Sequence, residues 1–325
     1  MNRPLVLAHR GASHITPENT LAAFRAAKTM GCDGIETDVQ LTRDGKLVMH
    51  HNYTIDAASD GSGAIISMTE EELRQFDFGS WKDPKFAGEK IPTLTECLEV
   101  CRGFRVVNIE LKAPADRSIP YVATVARAIE ESGMAGEIIV SSFDHSLLRE
   151  MKGYLPQLRV GALTMPPIHY IPTFTQFSDC FPAGVPLDQL CREDLKYPEE
   201  IPGDDGGLGI SEEDFFRTML EFARSLSAIF PGTDFAGAKA ALERQEDLDA
   251  YVSTLDFPLE YLHCEYRSCL DDPELIEKMH RRGIGVNPWT VDREEDMDIL
   301  IAQGADGIIT NRPDLLLPKL GREVG

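Results

Sequence analysis

Residues 5–40 read LVLAHRGASHITPENTLAAFRAAKTMGCDGIETDVQ, and they contain the repeating unit that decides the fold. Residues 5–9 and 34–40 are short apolar runs with the length and composition of buried strands. Between them, residues 20–30 place apolar side chains at helical spacing, and Gly31 follows as a stop signal. A strand, a helix and a second strand in this order predict two parallel neighbours in one sheet.

This unit recurs along the whole chain. Eight candidate strands that alternate with helical patterns favour an α/β fold of the TIM type, a closed (β/α)8 barrel. The alternative is an open doubly wound sheet, which usually has fewer strands. The candidate strands are residues 5–9, 34–40, 105–112, 137–142, 159–164, 259–266, 285–291 and 307–311, and the helical patterns are residues 20–30, 93–101, 120–132, 145–152, 273–282 and 293–303.

Two segments interrupt the alternation. Residues 42–92 contain an extra apolar run at 46–51 and then a loop rich in Gly, Ser and Asp, which predicts an excursion over the barrel mouth. Residues 165–258 are far too long for a normal strand-to-helix loop. We therefore expect a mainly helical subdomain, inserted after the fifth strand near the barrel mouth, with one helix near residues 236–251. The barrel itself is expected to comprise residues 1–164 and 259–325.

Composition excludes several classes of protein. The chain has 325 residues and a formal net charge of −22, which disfavours nucleic acid or an anionic membrane surface as its main partner. No apolar stretch is long enough to span a bilayer, and the first eight residues leave no room for a signal peptide. Seven cysteines without a CxxC pair are typical of reduced thiols, so a cytoplasmic protein is expected. The oligomeric state is not indicated.

Ionisable residues lie where the predicted strands end. In a barrel of this type, the carboxyl ends of the strands form the active-site face. Within each of the second and third strands, the polar residues are two positions apart, so both members of a pair lie on the same face of the sheet. A barrel interior would otherwise contain branched apolar residues there. The residues concerned are His9 and Arg10, Glu36 and Asp38, His50 and His51, and Glu110 and Lys112.

The three acids predict a metal site. Carboxylates that converge in a buried site repel one another, and burial further disfavours their charged forms, so they need a compensating cation. Oxygen ligands from Glu36, Asp38 and Glu110 suit Mg²⁺ or Ca²⁺ better than Zn²⁺. The alternative is a buried ion network in which the acids pair with Arg10 or Lys112, but this leaves three acids against two bases.

Two histidines flank this predicted site. His9 and His51 could each move a proton near neutral pH, and two imidazoles are enough for acid–base chemistry at phosphorus. For either histidine taken alone, a structural role in the core is as good an interpretation as a catalytic role. His50 complicates the choice because alternation along a strand directs only one of the adjacent rings toward the mouth.

Taken in order along the chain, these motifs resemble those of the glycerophosphodiester phosphodiesterase family. The resemblance covers residues 4–164 and 259–317 but not the insertion. It is carried by His9-Arg10-Gly11, Pro17-Glu18-Asn19-Thr20, Glu36-x-Asp38, His51, Thr54-Ile55-Asp56, Asp60-Gly61-x-Gly63, Glu110-Leu111-Lys112, Trp289-Thr290-Val291 and the run from Asp306 to Asp314.

The resemblance implies a barrel hydrolase that binds one divalent cation through Glu36, Asp38 and Glu110. His9 and His51 match the acid–base pair, and we assign His9 as base and His51 as acid. Arg10 and Lys112 match the cations that hold the phosphate. In that family, a glycerol hydroxyl of the substrate is thought to attack phosphorus and expel the alcohol, after which water opens the cyclic phosphate. The expected partner is a small phosphodiester.

Three features depart from the family pattern. Asn52 stands where the family usually has Asp after the second histidine, Asn311 stands where many relatives have Asp, and the insertion is additional. Glu18 and Asn19 are expected to brace the first loop, with Asn19 as the cap of the following helix. The candidate pocket-lining residues are Phe143, His263, Glu265 and Trp289.

Two other functions stay open at this point. A lysophospholipase D type of enzyme would use the same chemistry on lysolipids, with residues 166–181, rich in Pro and aromatics, as an acyl-chain site. A barrel that binds a phosphate ligand without catalysis would explain Asn52 as a sign of lost function.

Overall fold

The computed structural model describes residues 3–114, 116–166, 177–197, 212–230 and 232–325. Its strands are β1 (Leu5–His9), β2 (Gly34–Leu41), β3 (Leu47–Met49), β4 (Val106–Leu111), β5 (Ile138–Ser142), β6 (Arg159–Thr164), β7 (Tyr261–Cys264), β8 (Gly285–Val286) and β9 (Gly307–Thr310). They form one sheet in the order β8-β7-β6-β5-β4-β2-β1-β9, with β3 beside β2.

The sheet curls into a nearly closed barrel of eight parallel strands. Neighbouring strands along the path pair in parallel from β9 through β1 to β8. The two ends meet through backbone hydrogen bonds of 3.0 Å, in which Asp306 donates to Val286 and Ile309 donates to Pro288. The predicted (β/α)8 barrel is therefore confirmed, and the open sheet is wrong.

Helices follow the barrel strands. No helix in the described part of the chain is both long and apolar enough to cross a membrane. The α-helices are α1 (Leu21–Thr29), α2 (Glu70–Leu73), α3 (Leu94–Cys101), α4 (Tyr121–Ser132), α5 (His145–Tyr154), α6 (Glu212–Ile229), α7 (Phe235–Glu243), α8 (Leu248–Val252), α9 (Arg267–Asp271), α10 (Leu275–Arg281), α11 (Glu294–Gln303) and α12 (Pro313–Lys319); short 3₁₀ turns lie at Ile65–Ser67, Pro84–Phe86, Ser178–Cys180, Leu187–Gln189 and Arg192–Asp194.

Three predicted elements differ in extent. The run at 285–291 is a strand only over Gly285–Val286, because Pro288 has no N–H group to continue a regular ladder. The run at 259–266 shortens to Tyr261–Cys264. The helix expected near 236–251 is wrong, since it is two helices: Gln245 donates back to Leu242 at the end of α7, and the Asp247 side chain then caps α8.

The extra run at 46–51 forms β3, which pairs antiparallel with the far end of β2 and stands outside the barrel wall. Val39 is the partner of Met49 in this register, and His50 donates its backbone N–H to Asp38 at 3.0 Å. The hairpin therefore returns the chain to the carboxyl end of β2. It brings the two adjacent histidines to the same end of the barrel as His9.

The barrel interior changes from apolar to polar along the strands. Leu7, Val106, Ile139 and Ile309 form one buried cluster inside the barrel. Two residues further along β1 the inward position is His9, whose partner on β2 is Glu36. Because side chains alternate across a sheet, the next inward positions toward the strand ends continue this polar layer. The apolar cluster thus forms the floor beneath the ionisable residues.

Residues 165–254 form a compact unit of their own. Its described helices are α6, α7 and α8, and the rings of Phe181 and Phe235 stack with centroids 4.1 Å apart. Residues 167–176, which include most of the segment considered as an acyl-chain site, lie outside the described residues. The core residues are Cys180, Phe181, Leu187, Leu195, Phe215, Phe216, Met219, Ala223, Leu226, Phe230, Phe235, Ala238 and Leu242.

Candidate active site

Three carboxylates converge at the carboxyl ends of β2 and β4. Glu36 and Asp38 are alternate residues of β2, and Asp38 is the register partner of Glu110 on β4. Ligand oxygens from the three side chains all lie within 4.8 Å of one another. The three residues are buried, with 5%, 1% and 7% of their surfaces exposed. The structure therefore brings together the three acids that the sequence predicts as one group.

Two cations border the acids. The Lys112 ammonium lies 2.8 Å from Glu110 Oε1 and 3.6 Å from Asp38 Oδ1. Arg10 Nε lies 3.8 Å from Asp38 Oδ2, and its Nη1 donates to Glu18 Oε1 at 2.8 Å. Arg10 has a left-handed backbone, with φ of 56°. Such a conformation costs energy in a non-glycine residue and tends to occur at functional sites.

The acids carry more negative charge than these cations balance. Burial, with the charges of Asp38 and Glu110, raises the pKa of Glu36 well above its ordinary value. Burial also raises the pKa of Glu110 to about 7, although Lys112 opposes this. Burial disfavours the charged form of Asp38 too, but His51, Lys112 and Arg10 hold its pKa below the usual range. The site therefore favours a further positive charge.

A hard divalent cation fits this group. Oxygen donors alone suit Mg²⁺ or Ca²⁺. Asp38 Oδ1 is buried and has no hydrogen-bond partner within the part of the chain that the structure describes. A buried carboxylate oxygen left without a partner is costly, and a metal ion would satisfy it. The Lys112 ammonium, 3.6 Å from this oxygen, is too far for a hydrogen bond, so the acidic group could hold a metal in addition to its ion pairs.

His9 lies beside the acids in a fixed orientation. Its Nδ1 lies 2.7 Å from Asn311 Oδ1, and its Nε2 lies 3.7 Å from Glu36 Oε2. Burial and the charge of Arg10 lower the pKa of His9 to about 4. The ring is therefore neutral at physiological pH and has a nitrogen able to accept a proton.

The adjacent rings of His51 and His50 both lie within reach of the Asp38 charge but have different surroundings. Burial together with the charge of Lys112 lowers the pKa of His51 well below the usual value. Its Nδ1 lies 2.8 Å from Asn52 Oδ1. The ring of His50 is instead held by the Thr54 carbonyl at 3.2 Å and by an edge contact with Phe78.

The four candidate pocket-lining residues lie at the ends of later strands. The rings of Phe143 and Trp289 meet edge to face with centroids 5.5 Å apart, and Trp289 Nε1 donates to the His263 carbonyl at 2.8 Å. Glu265 accepts from Arg267 Nε at 2.8 Å. His263 is fully buried beside Asn287, with a nitrogen-to-nitrogen distance of 3.0 Å. Since Glu265 and Trp289 also form an isolated parallel bridge, all four residues are linked through Trp289, and their role in binding a substrate stays a prediction.

The prediction that Asn19 caps the first helix is wrong. Thr20, not Asn19, caps α1, because its hydroxyl accepts from the Ala23 N–H at 3.2 Å. Asn19 instead has a left-handed backbone with φ of 55°, which directs its buried amide into the site. Its Nδ2 donates to Asp38 Oδ2 at 2.9 Å, and its Oδ1 accepts from Thr37 at 2.7 Å. In the sequence, the feature that could have indicated this role is that Asn19 stands directly before Thr20, which is itself a good N-cap residue.

Replacing Asn19 with alanine is expected to weaken binding of the divalent cation about 10- to 100-fold, because the residue that orients the Asp38 carboxylate is lost. Isothermal titration of Mg²⁺ and Ca²⁺ measures this change. Thr37→Val is the control, since it removes the bond between Thr37 and Asn19 but leaves the one to Asp38. Equal losses in the two variants would contradict an orienting role.

The sequence of the chain matches a known protein family. Residues 9–180 and 227–315 match the model of the glycerophosphoryl diester phosphodiesterase family. A glycerophosphodiester phosphodiesterase of Caldanaerobacter subterraneus subsp. tengcongensis is 32% identical over 317 residues, which cover 97% of each chain. One from Bacillus subtilis is 30% identical over 322 residues, covering 97% of this chain and 85% of that protein.

Solved structures share the fold. A phosphodiesterase of Oleispira antarctica, determined in complex with its product sn-glycerol-3-phosphate, superposes with a TM-score of 0.66 at 23% identity, covering 98% of this chain and 97% of that one. The family match and the relatives at 30% identity or more make the chain a phosphoric diester hydrolase. This protein belongs to the glycerophosphoryl diester phosphodiesterase family.

Proposed function

We propose that the protein hydrolyses glycerophosphodiesters to glycerol 3-phosphate and an alcohol, in a reaction that depends on one divalent cation, Mg²⁺ or Ca²⁺. Glu36, Asp38 and Glu110 are the proposed ligands, with His9 as general base and His51 as general acid. The observation that carries the proposal is the buried acidic group, with ligand oxygens within 4.8 Å of one another, beside two histidines.

The surrounding residues suit phosphoryl chemistry. A divalent cation in this position supplies Lewis acidity and neutralises charge on the phosphoryl oxygens. Arg10 and Lys112 hold the same oxygens and strengthen this effect as the transition state gains charge. The hydroxyl that attacks phosphorus belongs to the glycerol of the substrate; His9 Nε2 accepts its proton, and His51 donates a proton to the departing alcohol. This leaves a cyclic phosphate, which water then opens to glycerol 3-phosphate while the two histidines return to their starting protonation states. Each proton transfer typically contributes about 10²- to 10⁴-fold to the rate.

Substrate binding prepares His51 for its role. A general acid must carry a proton, whereas burial and Lys112 lower the pKa of His51 in the protein alone. A phosphodiester anion beside the ring favours the charged imidazolium, which opposes the effect of burial and of Lys112 on this pKa.

The identity of the product rests on similarity. The Oleispira antarctica structure holds sn-glycerol-3-phosphate, and we propose the same product here, from water-soluble diesters such as glycerophosphocholine, glycerophosphoethanolamine or glycerophosphoglycerol. A cytoplasmic location is part of the proposal, supported by the seven unpaired cysteines.

The test is a turnover assay across these three diesters, a micellar lysolipid and each metal, in which the released alcohol is measured for every substrate and glycerol 3-phosphate is identified as the second product of the soluble diesters. We expect release that EDTA abolishes and that added Mg²⁺ or Ca²⁺ restores. Faster turnover of the lysolipid than of all soluble diesters would replace the proposed substrate class. Binding of a diester without any turnover would show a barrel that has lost catalysis.

A further inference from the structure

Asn311, which orients His9, is itself held by Asp292. The backbone N–H of Asn311 donates to Asp292 Oδ1 at 2.8 Å, and its side-chain Nδ2 donates to Asp292 Oδ2 at 2.7 Å. On the opposite side of the amide, Oδ1 accepts from the Ser13 hydroxyl at 2.9 Å and faces His9 Nδ1 at 2.7 Å. Asp292, Asn311 and His9 thus form a continuous line of hydrogen bonds.

This arrangement permits one orientation of the Asn311 amide. An ionised carboxylate only accepts hydrogen bonds, so the group that faces Asp292 must be the NH₂. The amide oxygen then faces His9 and Ser13. Rotation by a half turn would place two acceptors together at Asp292 and leave the NH₂ facing His9. Asp292 therefore selects the atom that His9 meets.

The amide orientation in turn selects the tautomer of His9. A carbonyl oxygen accepts but cannot donate, so His9 Nδ1 must carry the hydrogen. In a neutral imidazole, the other nitrogen is then bare. That nitrogen is Nε2, which points to the acidic group. A ring fixed in this state is always ready to accept a proton from a substrate hydroxyl.

The second histidine differs in this respect. Asn52, which meets His51, is exposed to solvent, so water can satisfy either end of its amide. His51 is held in place through the backbone instead, because Gln40 Nε2 donates to the carbonyls of His50 and Asn52, each at 2.7 Å. The contrast matches the two proposed roles, since a base must begin the reaction with a bare nitrogen at the attacking hydroxyl, whereas a charged acid has a hydrogen on both nitrogens.

We propose that Asp292 is a positioning residue that acts through Asn311 to hold His9 in the Nδ1–H tautomer, with Nε2 bare as the base. The role of His9 as a base rests on the proposed function, whereas its tautomer does not. Asn311 lies between the Asp292 carboxylate and the imidazole, so the histidine is oriented without a negative charge in contact with its ring.

The first test exchanges the carboxylate and the amide. Asp292→Asn removes the acceptor that locks Asn311, and we expect kcat to fall about 10²-fold with KM changed less than about 3-fold. The double variant Asp292→Asn with Asn311→Asp restores an acceptor facing His9 Nδ1, and recovery of kcat to within about 10-fold of the parent enzyme is expected. Because the exchange also restores the hydrogen bond between these two side chains, its rescue is combined with the tautomer measurement below, which a side chain that only stabilised the loop would not change.

The second test measures the tautomer directly. The ¹⁵N spectrum of histidine-labelled full-length enzyme with Mg²⁺, assigned with His9→Gln, is expected to show Nδ1 protonated and Nε2 bare. In Asp292→Asn we expect a mixture of tautomers, and in the double variant a return to one. The control is Asp306→Asn, the same chemical change at a residue that precedes β9, whereas Asn311 follows it. The Asp306 carboxylate accepts from the Val286 N–H at 2.8 Å and lies 2.8 Å from His280 Nε2.

Two results would overturn the inference. One is a single Nδ1–H tautomer that persists in Asp292→Asn, and the other is a loss of kcat in Asp306→Asn equal to that in Asp292→Asn. If the parent enzyme turned over no diester, the proposed function would fail, while the spectra would still decide whether Asp292 sets the tautomer of His9.

Discussion

Replacing His51 with glutamine is expected to lower kcat on glycerophosphocholine about 10³-fold, because the departing alcohol is then expelled without a proton. Glutamine keeps a hydrogen-bonding group of similar length but cannot act as an acid. His9→Gln is expected to cause a loss of similar size, since the attacking hydroxyl keeps its proton. Steady-state release of glycerol 3-phosphate measures both variants, and bound metal measured by titration shows whether each variant still holds its cation.

A substrate with an acidic leaving group separates the two roles. The p-nitrophenyl ester of glycerol phosphate expels p-nitrophenolate, which needs no proton to leave. His51→Gln should therefore release p-nitrophenolate from this substrate at a rate close to that of the parent enzyme. His9→Gln should stay slow, because the attacking hydroxyl is unchanged. Recovery by His9→Gln instead of His51→Gln would reverse the assignment of base and acid. Recovery by neither would remove His51 from the leaving-group side of the reaction.

The barrel could be predicted because its signal is local and repeated. Strand runs of five to eight residues recur with helices between them, and inward polar pairs such as Glu36 and Asp38 are visible as a spacing of two along one strand. The weak point was the run at 285–291, where only Gly285–Val286 is a strand. There the backbone continues beside its neighbours through single hydrogen bonds around Pro288, which no local pattern reveals.

The sequence indicates the acids and the histidines as candidates for the site, but it does not indicate the residues that orient them. Asn311 contacts His9 across 302 positions of sequence, and Asn19 contacts Asp38 across 19. An asparagine looks alike in sequence whether it caps a helix, forms a turn or orients a catalytic ring. The position of Asn19 before the helix therefore favours a local role as a cap. Its left-handed backbone and its hydrogen bond to Asp38 show a different role.

Replacing Glu36 with glutamine is expected to abolish stabilisation by metal without destabilising the metal-free protein. Its raised pKa, caused by burial and by the charges of Asp38 and Glu110, means that the folded protein disfavours the charged form of Glu36. A neutral glutamine relieves this repulsion and can still accept from the Arg10 N–H, which lies 3.2 Å from Oε2. In EDTA, the melting temperature of Glu36→Gln should therefore equal or exceed that of the parent.

Divalent metal should reverse that order. A ligand that binds only the folded state stabilises it by RT ln(1 + [L]/Kd), about 2.7 kcal/mol at 100 times Kd. The parent should gain this stability in Mg²⁺ or Ca²⁺, whereas Glu36→Gln, with one ligand removed, should gain almost none. Asp33→Asn is the control: Asp33 is a buried carboxylate that accepts from the Val6 N–H at 2.9 Å, at the opposite end of the barrel. That variant should lose stability in EDTA yet keep the full gain from metal. A parent protein that gains nothing from either ion would remove the metal from the site, and the acids would then need another source of positive charge to remain together.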